Sequence, residues 1–173
     1  MKNYTCCFTG HREIPSGYEN VIKERLDTVL TKLIDEGITD FLAGGAIGFD
    51  MLAEEAVLSL KEKYPHIRLH IIVPCANQTV KWSRDNVIRY EELSSKADEV
   101  RLMSEGYYRG CMQVRNRYMV DNCDVLIAIY NGETKGGTAY TVNYARKLGK
   151  EIVIIDPNSL TINIIPATET DKV

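Results

Sequence analysis

Short runs of consecutive apolar residues alternate along the chain with longer stretches whose apolar residues recur every three or four positions. The runs predict strands covered on both faces, and the spaced stretches predict amphipathic helices. Strands are predicted at Tyr4–Thr9, Asp40–Ala43, Arg68–Val73, Glu99–Leu102, Asp124–Tyr130 and Glu151–Ile155. Helices are predicted between them at Ser16–Glu36, Gly48–Lys63, Asn77–Ser95, Cys111–Asn122 and Thr138–Leu148. In the first helix, Ile22, Leu26, Val29, Leu30, Leu33 and Ile34 share a face, and Gly37 is placed to stop it. Leu52, Ala53, Ala56, Val57 and Leu60 form the second apolar face, which ends before Pro65; Pro74 stops the third strand and Gly149 the last helix. The tail from Asn158 to Val173 carries Thr, Asn, Pro and charge; it predicts a short edge strand at Thr161–Ile165 and fraying beyond it.

This alternation predicts an α/β fold: a single Rossmann-like three-layer domain over residues 1–157, with a mainly parallel sheet and helices on both faces. A chain of 173 residues suits one such domain. Right-handed crossovers then bring the strand C-terminal ends to one edge. A composition 45% hydrophobic and 26% charged excludes disorder. No apolar run approaches the roughly 20 residues that span a bilayer, and Met1–Phe8 is too short for a signal peptide and reads as a first strand. No membrane partner and a cytoplasmic location are therefore expected. The formal charge of -3 argues against nucleic acid as a partner. Five cysteines fit neither a disulfide framework nor a zinc pattern, so reduced thiols and no metal are expected. Cys6 and Cys7, adjacent in a strand, should point to opposite faces.

The candidate chemistry lies in two glycine-rich turns, each closing a strand and opening a helix. The first, after Phe41-Leu42-Ala43, contains Gly44, Gly45, Ala46, Gly48 and Asp50; the second, after Val125–Ile129, contains Gly136, Gly137, Thr138 and Thr141. Glycines let backbone approach a ligand closely, and the following helix offers unpaired N–H groups and a positive dipole end to an anion. Asp50 could bond a ribose hydroxyl or complement the helix dipole, and Thr138 could donate to a phosphate or cap its helix. Thr9-Gly10-His11-Arg12 follows the first strand, where such folds bind ligands. In the Arg115-Asn116-Arg117 run, Arg115 shares a helix face with Met119 and could reach a phosphate bidentately, or form an ordinary salt-bridged surface. Trp82 could stack a base or be structural, and Tyr107-Tyr108-Arg109 reads as a loop. His66 and His70 lie apart from the glycine turns and are expected to be structural or solvent-facing. The dinucleotide and Walker A fingerprints are both absent, so no standard cofactor follows.

In this order, these residues resemble the SLOG superfamily, named for DNA-processing proteins and the LOG phosphoribohydrolases, and within it the YpsA-like bacterial branch. The resemblance runs from Thr9-Gly10-His11-Arg12 through Gly44–Asp50 and Arg115-Asn116 to Gly136-Gly137-Thr138. It implies a Rossmann-like fold with a nucleotide-type ligand cradled by the two turns. The helix Arg and Met of the LOG branch are matched by Arg115 and Met119, but Lys135 stands where that branch has Pro, and Thr141 stands near its ribose-facing Glu. Glu133 and Asp50 are the nearest substitute carboxylates. The leading expectation is binding or sensing of a nucleotide-derived phosphorylated small molecule. The alternatives are a nucleoside-phosphate N-glycosidase or ribosyl-transferring enzyme, and single-strand binding through Arg12, Arg115 and Tyr107-Tyr108. A homo-oligomer is left open.

Overall fold

Each apolar run becomes a strand of one sheet in the computed structural model, which describes residues 4–169. The strands are β1 (Tyr4–Thr9), β2 (Ile38–Ala43), β3 (Arg68–Val73), β4 (Glu99–Leu102), β5 (Val125–Ile129), β6 (Glu151–Ile155) and β7 (Ile162–Ile165). The helices are α1 (Glu19–Asp35), α2 (Phe49–Lys63), α3 (Arg84–Lys96), α4 (Cys111–Asp121) and α5 (Gly137–Lys147). The readings of Met1–Asn3 as the lead into β1 and of fraying at 170–173 lie outside the described residues. No described helix is long and apolar enough to cross a membrane.

The strand order is β4-β3-β2-β1-β5-β6-β7. Strands β1 to β6 pair in parallel, and β7 closes one side antiparallel to β6, with Ile165 opposite Ile152. The chain winds outward from β1 to β4, then returns to β5 on the other side of β1. The connections beyond β1 and β5 therefore diverge to opposite faces, leaving a crevice at their C-terminal ends, where Thr9 pairs with Ala128.

Alternation along β1 divides the core. Cys6 and Phe8 pack among Leu26, Leu30, Leu52 and Val57 of α1 and α2, while Cys7 packs among Met119, Val120, Val142 and Ala145 of α4 and α5. The two neighbouring cysteines thus face opposite layers, as the strand period requires. All five cysteines are buried and free. His70 joins three strands, meeting Asp40 of β2 at 2.8 Å and Glu99 of β4 at 2.9 Å, and His66 stands edge-on to Tyr64.

Two helices start later than their apolar spacing predicts. Pro15–Tyr18 folds into a turn closed by the Tyr18 amide on the Pro15 carbonyl (3.1 Å), so α1 begins at Glu19 rather than Ser16. The predicted helix from Asn77 begins only at Arg84, because Ser83 caps it by accepting the Asn86 amide (3.3 Å). Residues 77–82, including Trp82, form turns ahead of the cap.

The β2–α2 turn is closed on itself. Gly45 donates its amide to Glu54 Oε1 (3.1 Å), and Ala46 donates to Asp50 Oδ2 (3.3 Å). The turn is also docked on the loop after β1: Phe49 donates to the His11 carbonyl (3.2 Å), and a Cβ on Gly48 (φ 86°) would lie 2.2 Å from the Arg12 carbonyl oxygen. Glu54 is fully buried, and its Oε2 has no hydrogen-bond partner among the described residues. Burial, followed by the neighbouring Asp50 charge, pushes its carboxyl well above the usual carboxylate range.

Gly48 and Gly110 both have positive φ, but a Cβ on Gly110 would meet open space. Each change to Ala carries the left-handed cost of about 1–2 kcal/mol; only Gly48→Ala adds a backbone collision of roughly 1–3 kcal/mol. Urea unfolding should rank Gly48→Ala clearly below Gly110→Ala, and equal losses would contradict the docking of the two loops. Glu54 gives a pH signature. Because its folded-state pKa is raised, the folded protein binds more protons than the unfolded chain above the unfolded value of 4.5. Stability from this group therefore falls as pH rises from that value through the folded one. Unfolding at pH 5 and pH 8 should show the stability advantage of Glu54→Gln over the native protein growing with pH; a constant gap would refute it.

Candidate functional site

The crevice between the ends of β1 and β5 is a pocket of about 340 Å³. Thr9, Gly10, His11 and Arg12 line it from the end of β1 and the loop beyond. The β2–α2 turn contributes Ala46 and Asp50, α4 contributes Met112, Arg115 and Asn116, and the start of α5 contributes Gly137 and Thr138. Segments far apart in sequence meet here because the parallel topology places every strand-to-helix turn on one edge.

Arg115 is a buried cation of the pocket wall, only 4% exposed. Its Nη1 donates to the carbonyl oxygens of Gly44 and Ile72 (3.2 Å for the latter), and its Nε donates to Asn116 Oδ1 (2.8 Å). The fork expected for a phosphate is thus largely occupied by the protein, through Nε and Nη1. Burial lowers the guanidinium pKa and the Asp50 charge opposes this; burial likewise raises the Asp50 carboxyl, opposed by Arg115, the Ala46 amide and Arg12. Asp50, in the first turn of α2, accepts the Ala46 amide and also lines the pocket. His11 also lines the pocket, and its Nε2 is buried with no hydrogen-bond partner among the described residues.

The remaining predicted site residues stand behind or beside the pocket. A Cβ on Gly44 would come within 2.6 Å of Arg115 Nη1 and 2.7 Å of Asp50 Oδ2, so this glycine makes room for both side chains. Gly45 (φ 66°) gives space to Ile71 and Tyr90, and its amide already serves Glu54. Gly48 serves the docking of the two loops. Thr141 returns its hydroxyl to the Gly137 carbonyl (2.8 Å) and is buried. Gly136 lines a neighbouring groove with Lys135, Tyr140 and Tyr144.

The second turn is open where the first is closed. Among the described residues no side-chain hydrogen bond caps either α2 or α5. A Cβ on Gly136 or Gly137, however, would meet nothing within 4 Å, whereas one on Gly44, Gly45 or Gly48 would collide. Gly137 and Thr138, at the start of α5, line the crevice, which places the helix's positive dipole end beside it. Glu133 is held in its own loop by Asn131, whose Nδ2 donates to Glu133 Oε1 (2.8 Å), and does not line the pocket. Sequence reasoning missed Phe8 and Met112; Met112 precedes Arg115 by three positions on α4, so helical spacing carried that signal. Among the described residues, no group of three or more His, Cys, Asp or Glu side chains is arranged to hold a metal ion.

The model of the YspA SLOG family matches residues 8–160. An uncharacterised SPbeta prophage-derived protein of Bacillus subtilis, YoqJ, is 34% identical over 152 residues, covering 79% of this chain and 88% of that protein. The UPF0398 protein BH1768 of Halalkalibacterium halodurans is 30% identical over 145 residues, covering 80% of this chain and 77% of its own. The X-ray structure of TM1055, a structural-genomics target, matches with a TM-score of 0.53 at 19% identity, covering 86% of this chain and 72% of that one, a likeness of fold alone. Because the family match runs from the end of β1 past β6 and takes in both glycine turns and Arg115, the chain belongs to the YspA SLOG family.

Proposed function

We propose that the crevice binds a nucleotide-derived, phosphorylated small molecule, and that the protein acts as a binding or sensing module for it. The observation that carries this reading is the uncapped N-terminus of α5 opening on the same pocket as the buried Arg115. A phosphate there would lie among Gly137 and Thr138 at the start of α5, the Arg115 guanidinium and His11, which line the same pocket. Asp50, on the opposite wall, suits a sugar hydroxyl. The pocket volume lies at the small end of the roughly 300–1,000 Å³ typical of ligand sites, which suits a ribose phosphate.

A second reading, cleavage of a base–ribose bond, has one observation in its favour: Asp50, the sole carboxylate among the pocket-lining residues, is buried and shifted upward. It requires release of free base that is abolished in Asp50→Asn; undiminished release in that variant would remove it.

Thermal unfolding with ribose 5-phosphate, nucleoside phosphates and ADP-ribose tests the binding reading. A ligand at about 100 times its Kd should add about 2.7 kcal/mol, worth roughly 2–4 °C per kcal/mol in a domain of this size. Gly137→Asp places a negative charge at the open helix end, where it favours the helix but repels a phosphate. The variant alone should melt at or above the native temperature and lose the ligand shift. A flat panel, or a shift that survives in Gly137→Asp, would overturn the proposal.

A further inference from the structure

A second groove, of about 660 Å³, opens directly beside the crevice, and Arg12 and Met112 line both. Its other walls have different chemistry: Ile47, Val80, Trp82 and Tyr107 supply apolar and aromatic surface, and Asn77 and Gln78 supply amides. Val80 is 74% exposed and Tyr107 64% exposed, so large apolar side chains stand open to solvent around a concave seat. The Trp82 ring meets Tyr90 edge-to-face, with centroids 5.7 Å apart. Tyr90 in turn fits against Gly45, where a Cβ would lie 3.2 Å from its ring. Gln78 donates its Nε2 to the Gly45 carbonyl (3.3 Å), which orients the side chain and leaves its carbonyl oxygen to accept. The absence of a side chain at Gly45 thus makes room for Gln78, which lines the groove, and for Tyr90, which packs against Trp82.

We propose that this groove receives the nucleobase of the ligand whose phosphate occupies the crevice, with Trp82 and Tyr107 stacking on its face, Asn77 and Gln78 meeting its polar edge, and Arg12 at the junction. The proposal rests on the phosphate-binding reading above. A planar heterocycle matches this wall because every base offers a π-face to an aromatic ring and hydrogen-bonding atoms to an amide. Arg12 and Met112 line both spaces, so the two lie side by side, and the proposed ligand places its charged end in the crevice and its flat end in the groove.

Trp82 is the single tryptophan of the chain, so its fluorescence reports on the groove. The full chain is titrated with ribose 5-phosphate and with AMP, GMP, CMP and UMP, following both tryptophan emission and thermal shift. At least one nucleotide should bind about tenfold or more tighter than ribose 5-phosphate and change the emission, while ribose 5-phosphate leaves it nearly unchanged. Trp82→Leu and Tyr107→Ser should each remove most of that advantage without weakening ribose 5-phosphate; Tyr107 is exposed in a loop, so its variant tests the groove without burdening the fold. If ribose 5-phosphate binds but no nucleotide binds tighter, or if the advantage survives in both variants, the groove proposal falls and the phosphate reading stands. If neither sugar phosphate nor nucleotide binds, both fall.

Discussion

The guanidinium of Arg115 organises the edge of the sheet. It rises from α4, on one face, and reaches the carbonyl oxygens at the ends of β2 and β3. Strand-end carbonyls buried against a turn need donors, and a buried cation needs acceptors. Each requirement satisfies the other, and Gly44 must lack a side chain for them to meet. The crevice is therefore walled by a fixed positive charge whose position is set by backbone, with Asp50 held across the same glycine.

The two glycine turns differ in physical character although their sequences look alike. In the first, Glu54 and Asp50 take the Gly45 and Ala46 amides, and its glycines accommodate Arg115, Tyr90 and the Arg12 carbonyl. In the second, the α5 terminus is uncapped and borders empty space. The second turn thus leaves backbone beside open space, while the first is filled from within the protein.

The strands, their parallel arrangement and the common edge of the turns were legible because continuous apolar runs and crossover handedness are strong constraints. The start of α3 was not, because helical spacing continues back through Trp82 while Ser83 offers a better cap. Glu54 was hidden for a different reason. In sequence it is one of two adjacent glutamates on an amphipathic helix, and only the fold reveals that it is fully buried against the Gly45 amide while Glu55 pairs with Lys23 and Arg89. Arg115 was recognised as a site residue, but its bonds to carbonyls 71 and 43 positions away cannot be read from helix periodicity. Ten positions expected at the site do line the crevice, among them Thr9, Arg12, Asp50 and Thr138, because their place follows from topology alone.

The contrast between Gly48 and Gly137 separates two kinds of selective pressure. Any side chain at Gly48 collides with the backbone of the neighbouring loop, so the fold alone forbids change there. Gly137 meets nothing, and only an occupant of the crevice would object to a larger residue. Drift limited only by the fold would therefore reach Gly137 before Gly48, leaving the first half of the motif intact while the second changed.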